Sequence, residues 1–523
     1  MDLSEAAAGP PLDAAIIGGG INGAGIARAA AAAGLRVGLF ERDDFGFGTT
    51  WRSTKLIHGG LRYLEHGDFL LVFESLRERK WLLETRPHLV HPQRLLFPML
   101  PWTRRPAWQV RLGLFAYDAM AWGGGVPRHR WLKREAMERS APFLAAEHDG
   151  GFSFYDARAR APERITIELA CEAHDHGALV VNHAEVTGIG TSDGEVSSVE
   201  VRRDGETFEI PARSVINAAG PWADVVNRAA GIDAPELLGV TRGSHIVLDC
   251  DYPSRDAVFA TARSDGRVFF AVPQEGLLLV GTTDERFDGD PGSVRPTRPE
   301  VDYLLEEARG LLPGLDIRAE HVRYAYAGLR PLPRTPEGPE AAITRRHDVI
   351  RHEEQGGPAG LYSVIGGKLS TFRPLAAEIV RLLDGCLPHD SGPVRPPSEW
   401  KRALHSSGLD QATQVRLRNY GPALEGILAK EPVLVSKSPP VLQRELEHVA
   451  HREFASTLDD VLLRRTGIGW GADRGLGCHR EVAKALAGIL GWSDQETEEQ
   501  IAQYEKAVRF HLPTMEEIGD ADA

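Results

Sequence analysis

Apolar positions near the start of the chain fall into two short runs with a small-residue stretch between them. Ala14-Ala15-Ile16-Ile17 is followed by glycines at 18, 19, 20 and 23 and an alanine-rich segment to Ala33, and then Val37-Gly38-Leu39-Phe40 closes on Glu41. Runs this short, bounded by glycine or charge, predict buried strands, and the segment between them predicts a helix. The pattern is one βαβ unit. Gly18, Gly20 and Gly23 occupy the three glycine places of a dinucleotide-binding turn, and Glu41 stands where the acid that meets a ribose is expected. Gly18 permits a tight turn, Gly20 leaves the backbone open to a pyrophosphate, and Gly23 lets helix and strand pack closely with the helix N-terminus toward the phosphates. A glycine-rich turn of some other α/β protein would not bring strand, helix and acid into one register.

Leu179 to Val186, Val268 to Val272 and Leu277 to Val280 are β-rich runs expected as strands of a mixed sheet and of a second layer. Leu387 to Pro397 is rich in Pro and Gly, which forbid regular structure, and predicts a linker. Past it the period becomes helical. Thr457 with Asp460 and Ser493 with Glu496 have capping-box spacing, and Ile501, Tyr504, Val508 and Leu512 line one face of the last helix. An all-helical C-terminal domain at 398–523 is therefore expected. From Phe97 to Trp122, aromatic and aliphatic residues including Trp102 and Trp108 interleave with Arg104, Arg105 and Arg111, which suits either a membrane interface or a buried helix.

At 523 residues the chain exceeds what one core usually supports, so two or three domains are expected. Hydrophobic residues at 42% and charged residues at 26% exclude a fibre or a disordered chain. A net charge of −14 disfavours nucleic acid as a partner and gives no general attraction to anionic lipid. Cys171, Cys250, Cys386 and Cys478 lie far apart and form no C-x-x-C pair, so a reduced, cytoplasmic setting without disulfides or a metal cluster is expected. The first residues have no basic segment leading into an apolar one, so no signal peptide is expected, and no run of about eighteen residues lacks charge.

The segment from Ser53 to His66 crowds hydroxyls, histidines and cations around Gly59-Gly60. Together with Ile16 to Ala27, its core from Lys55 to His66 resembles the FAD-dependent glycerol-3-phosphate dehydrogenases, flavoproteins of the D-amino-acid-oxidase-like group. Further blocks keep that family's order: Asn217 to Trp222, Arg242 to Val247, Gly281 to Asp284, Ala327 to Pro331, Ala342 to Arg345 and Gly366 to Thr371. Trp51 and Arg52 interrupt the family's run of small residues, and Ser370 stands where Thr is common.

The resemblance implies an α/β and α+β fold. A dinucleotide-binding FAD domain is expected from 12–90, 165–225 and 360–387, with a mixed-sheet substrate domain from 91–164 and 226–359. It implies FAD held by Gly18, Gly20, Gly23, Glu41, Ser53, Thr54, Lys55, Val186, Gly366, Gly367 and Ser370, with the adenine against Ala184-Glu185-Val186. Arg62, Arg345 and Lys368 would hold a substrate phosphate, and Arg330 would lie over the flavin edge near the C2 oxygen. Oxidising a secondary alcohol sends a hydride from C2 to flavin N5 and a proton to a base, for which His58 and His245 are the candidates. The implied reaction converts sn-glycerol 3-phosphate to dihydroxyacetone phosphate, with membrane quinone as electron acceptor. A homodimer, peripheral on the inner face of the cell membrane, is the expected setting. An oxidase that reduces oxygen to hydrogen peroxide is the alternative, although the long mid-chain insertion such oxidases often carry is not evident. A non-catalytic nucleotide-binding protein would not need these cations and histidines, and a nicotinamide dehydrogenase does not predict the blocks after residue 200. No metal site is expected, and Tyr362 stands where a P-loop would need its first glycine.

Overall fold

A computed structural model describes residues 2–519 apart from 62–63, 65–66, 122, 233–234, 335–345 and 387–398. The expected linker and the block Ala342 to Arg345 lie outside these residues. Ala14–Ile17 and Val37–Phe40 are strands with every residue buried. They pair in parallel inside a six-stranded sheet, flanked by Leu179–Val181 on one side and by Val215–Asn217, Leu361–Ile365 and Asp348–Arg351 on the other. The helix between them, Ile21–Ala32, is thin because Ala24, Ala27, Ala30 and Ala31 form its buried face. That thinness lets Pro162–Asp175 and Phe372–Leu382 pack close beside it: a methyl on Gly25 would lie 2.6 Å from the Phe372 ring.

The run from Leu179 to Val186 is broken in two, where a single strand was expected. Leu179–Val181 stays in the dinucleotide sheet, and Glu185–Ser192 starts a separate three-stranded sheet with Glu195–Arg203 and Glu206–Pro211. The break falls at Asn182 and His183. Asn182 Nδ2 donates to Asp44 Oδ1 and to Phe454 O, and His183 takes φ 52°, which turns the chain out of the ladder.

The remaining large sheet has ten strands, eight of them on its main path, and joins Val90–Pro98, Gly151–Ala159 and the run from Thr241 to Gly281. Val322–Arg330 pairs antiparallel along Thr241–Leu248. Two boundaries differ from expectation. Leu56–Ile57 pairs with Ala157 and Arg158 of this large sheet, although it lies within the first dinucleotide-binding segment. Asp348–Arg351 pairs with Leu361–Ile365 in the dinucleotide sheet, although it falls inside the second substrate segment. Only the second of these pairs is local in sequence; Leu56–Ile57 finds its partner about a hundred residues further on. Residues 400–519 are helical apart from a short hairpin, Leu434–Lys437 with Pro440–Leu442, which turns through Pro439.

Ser493 and Glu496 form the expected capping box, and Ile501, Tyr504, Val508 and Leu512 are buried as the stripe required. Thr457 and Asp460 also bond reciprocally, but they open a π-helical turn, Asp460–Arg465, rather than an ordinary helix. This turn docks on the first sheet. Arg464 Nε donates to Asp44 Oδ2 at 2.5 Å, and Arg465 donates to the same carboxylate at 2.6 and 2.9 Å. Arg164 adds a bidentate pair to Glu453.

Asp44→Asn would keep the size of the side chain and leave two buried guanidiniums without their shared countercharge. We expect a loss of about 3–5 kcal/mol in chemical denaturation, against under about 1 kcal/mol for Arg202→Ala at the exposed Arg202–Glu185 pair. Similar small losses from both variants would show that the Asp44 cluster does not hold the domains together.

Candidate active site

A cavity of about 1610 Å³ runs between the dinucleotide sheet and the large sheet. At one end the three glycines do separate work. Gly18 has φ 102°, and a methyl there would meet Ala218 O at 2.7 Å. A methyl on Gly23 would lie 1.9 Å from Gly18 O, so this glycine sets how near helix and strand approach. Gly20 differs: the nearest atom to a methyl is Thr50 Oγ1 at 3.6 Å, and the space beyond is cavity. Glu41 accepts the Gly19 N–H at 2.6 Å and the Asp43 N–H at 2.8 Å, and burial pushes its carboxyl up to about 7. Ala184, Glu185 and Val186 line the same end, facing Trp222, over which the Arg42 guanidinium lies at 5.4 Å.

The other end is built by neighbouring strands of the large sheet. His245 stands opposite Gly281 on one side and Tyr326 on the other, and Gly243 stands opposite Gly328. The glycines clear room for the functional side chains. A methyl on Gly281 would lie 2.2 Å from the His245 ring, and one on Gly243 would lie 2.3 Å from Arg330 Nη2. Arg330 is fixed by Asp284 Oδ1 at 3.0 Å, Thr282 Oγ1 at 3.1 Å and Thr283 O at 3.1 Å. His245 Nε2 bonds Thr54 Oγ1 at 3.0 Å, and its ring stacks on Tyr326 at 4.8 Å. Burial, reinforced by Arg330, pushes the imidazole down to about 3, so it is neutral at ordinary pH. His58 is half-buried and lines the same end.

Gly366 and Gly367, at φ 69° and 84°, turn the chain from Leu361–Ile365 into Phe372–Leu382. A methyl on Gly366 would lie 2.4 Å from Arg346 O. Lys368 and Ser370 line the cavity at this turn, together with Ser53 and Thr54 across it. Arg62 and Arg345 lie outside the described residues. Lys55 is a correction. Its side chain is not at the cavity: Nζ lies 3.7 Å from the Trp470 ring centroid, and burial pushes it down to about 8. The residue sits at φ 59° beside Thr54, which does face the cavity.

Several lining residues were not anticipated. Thr49 Oγ1 donates to Leu329 O at 2.6 Å and ties the loop after Glu41 to the large sheet. Thr50 Oγ1 accepts the Ile21 N–H at 3.2 Å. The adjacent hydroxyls of Thr49-Thr50 after a glycine were the available signal. Arg52, which breaks the family's run of small residues, lines the cavity while its guanidinium donates to Phe47 O at 2.9 Å and meets His511 Nδ1 at 2.9 Å.

A dinucleotide cradle facing a sheet that presents an arginine and neutral imidazole is the arrangement of a flavin-dependent oxidoreductase. FAD fits: Gly20 opens where a pyrophosphate must approach, and the cavity continues to the histidines. Residues 13–373 match the FAD dependent oxidoreductase family model, and the chain belongs to that family. Residues 392–497 match the C-terminal domain of alpha-glycerophosphate oxidase. A glycerol-3-phosphate dehydrogenase of Synechocystis sp. is 34% identical over 94% of this chain and 95% of that protein. D-erythritol 1-phosphate dehydrogenase of Brucella abortus is 34% identical over 87% of this chain and 94% of its own. Among solved structures, glycerol-3-phosphate dehydrogenase from Bacillus halodurans complexed with FAD has a TM-score of 0.78 at 26% identity, covering 97% of this chain and 96% of its own.

The open space at Gly20 gives a test that separates cofactor loss from misfolding. Gly20→Val should fold with near wild-type stability and lose bound flavin, because a Cβ there comes no nearer to protein than 3.6 Å, at Thr50 Oγ1, while the side chain fills the pyrophosphate's place. Gly23→Val should fail to fold. Flavin absorbance after purification, beside a thermal melt, reads both, and stoichiometric flavin in folded Gly20→Val would refute the cradle.

Proposed function

We propose that this protein oxidises sn-glycerol 3-phosphate to dihydroxyacetone phosphate and passes the electrons to membrane quinone. What carries the reading is one cavity end lined by His58, His245, Arg330 and Lys368, in a chain so similar over its length to a glycerol-3-phosphate dehydrogenase. FAD, when bound, accepts the hydride that leaves C2. The remaining work falls to side chains. Lys368, with Arg62 and Arg345, holds the phosphate through charge-assisted bonds. Arg330, locked by Asp284, the Thr282 hydroxyl and the Thr283 carbonyl, stabilises charge developing on the C2 oxygen. The base is drawn from His58 and His245. His245 starts neutral and so has room for a proton, and a bound phosphate dianion offsets the burial and the Arg330 charge that depress it.

Removing the Lys368 charge tests the phosphate assignment. Anaerobic glycerol 3-phosphate should bleach the flavin of the wild type, and Lys368→Ala should weaken its binding by about 2–4 kcal/mol while turnover of glycerol stays little changed. A flavin that glycerol 3-phosphate never bleaches would overturn the substrate. Equal losses with both substrates would remove Lys368 from the phosphate pocket.

The proposed quinone acceptor requires contact with a bilayer, and no helix among the described residues is long and apolar enough to cross one. Two helices offer a surface instead. Trp108, Leu112 and Phe115 on Ala107–Met120 are 65%, 63% and 68% exposed, and Phe69, Leu70 and Phe73 begin Phe69–Thr85 with similar exposure. Leu112 and Phe69 also line the cavity, which puts its mouth beside this apolar surface, with Arg104 and Arg105 at the rim. Rings and arginines together suit a headgroup layer. Trp102 does not take part: it packs into the core, and its indole donates to Thr261 O at 3.0 Å. Trp108→Glu with Phe115→Glu should release the protein from anionic vesicles and slow quinone reduction, leaving reduction of a soluble dye near normal. Continued vesicle binding by the folded double variant would place attachment elsewhere. Rapid peroxide formation by the wild type, without quinone reduction, would establish the oxidase reading in its place.

A further inference from the structure

We propose that Tyr117 is a positioning residue for the loop carrying His58, acting through the backbone of Gly59. The inference rests on the reading that puts His58 at the reacting end of the cavity. Helix Ala107–Met120 has two faces: Trp108, Leu112 and Phe115 are exposed, while Val110, Leu114 and Tyr117 are buried. The Tyr117 phenol oxygen accepts the Gly59 N–H at 2.7 Å and donates its own proton to Asp156 Oδ1 at 2.7 Å. Arg79 Nη1 donates to that same carboxylate oxygen at 2.5 Å.

This arrangement leaves the phenol no rotational choice. Its single proton is committed to a carboxylate, so a lone pair is aimed at Gly59, and the carboxylate is itself held by a guanidinium. Gly59 is pressed onto the helix: a methyl there would lie 2.7 Å from Tyr117 Oη and 2.7 Å from Leu76 Cδ2. His58 before it and Gly60 after it both line the cavity. The loop is therefore gripped from behind at one amide by side chains from three elements, Ala107–Met120, Gly151–Ala159 and Phe69–Thr85. None of Tyr117, Asp156 and Arg79 lines that cavity, so their effect on catalysis is indirect.

Tyr117→Phe deletes one oxygen and keeps the ring among Val72 and Leu76. Leu114→Ala, one helical turn away, removes buried packing and leaves the hydrogen bonds intact. Both are compared with wild type as full-length, FAD-loaded protein. Tyr117→Phe is expected to speed amide hydrogen exchange in the peptide covering residues 55–61. It should also slow the limiting rate of anaerobic flavin reduction by glycerol 3-phosphate about 10- to 100-fold, with flavin content and substrate KM little changed. Leu114→Ala should lower Tm without either effect. The proposal is overturned if exchange at residues 55–61 matches wild type in Tyr117→Phe, or if Leu114→Ala slows reduction as much. Should glycerol 3-phosphate fail to reduce the wild-type flavin, the substrate assignment falls, and the exchange measurement still decides whether Tyr117 grips the loop.

Discussion

One buried carboxylate organises the meeting of the two ends of this chain. Asp44, fully buried, receives Arg464 and Arg465 from the C-terminal helices and Asn182 from the end of a dinucleotide-sheet strand. It lies three residues after Glu41 and a few before Phe47, Thr49 and Thr50, which line the cavity. Whatever fixes Asp44 fixes the loop after Glu41, which reaches back to the glycine turn where Thr50 Oγ1 accepts the Ile21 N–H. Charge balance explains the composition of the cluster. Asp44, His183 and Asp460 have ligand atoms within 4.8 Å of one another, a spacing that would suit a cation, and the two guanidiniums supply that positive charge. Despite their burial both carboxyls are held below the usual range, Asp44 by Arg465 and Arg464, and Asp460 first by its bond to His183 and then by the guanidiniums. A buried ion cluster of this kind adds little net stability over an apolar contact, but it tolerates no missing member, which favours a single docking geometry.

The reacting end depends on a different constraint, which is space. Strands set side chains alternately on the two faces of a sheet, so His245 and Arg330 share one face, and the positions their side chains lie across must be small. Gly281 and Gly243 meet that need, and the result is an imidazole stacked on Tyr326 beside a guanidinium held by Asp284. Tyr326 in turn donates to Ser53 O, which connects the sheet to the loop before His58. The two histidines are thus positioned from opposite sides, one by a strand and one by a loop.

Much of this was legible in the sequence where the physics is local. The glycine turn, the alanine helix and the acid at Glu41 follow from spacing, and the capping boxes and the last helix's stripe follow from helical period. Arg330, Lys368 and the histidines were visible because the blocks that hold them resemble those of the family. What stayed hidden was set by distant parts of the chain. Nothing near Lys55 announces that Trp470 will cover it, and nothing near Arg52 announces His511. The break at Asn182 and His183 likewise depends on Asp44 and Phe454, far apart in sequence. The Phe97 to Trp122 segment was ambiguous for a sharper reason: one helix within it has a buried face and an exposed apolar face, so its apolar positions do not fall on one side.

That exposed face also limits how far net charge alone bears on where this protein can bind. A net charge of −14 acts over the whole surface, yet at physiological ionic strength a charge is felt only within about 8 Å. Among the residues lining the cavity, Arg104, Arg105 and Arg267 lie with Asp265 beside Leu112 and Phe69, so the charge there is not that of the chain as a whole. Apolar side chains left in water at this density cost free energy that a covering surface would recover, at about 25 cal/mol per Å². The distribution of charge around the mouth, and not its sum over the chain, determines what can approach the cavity.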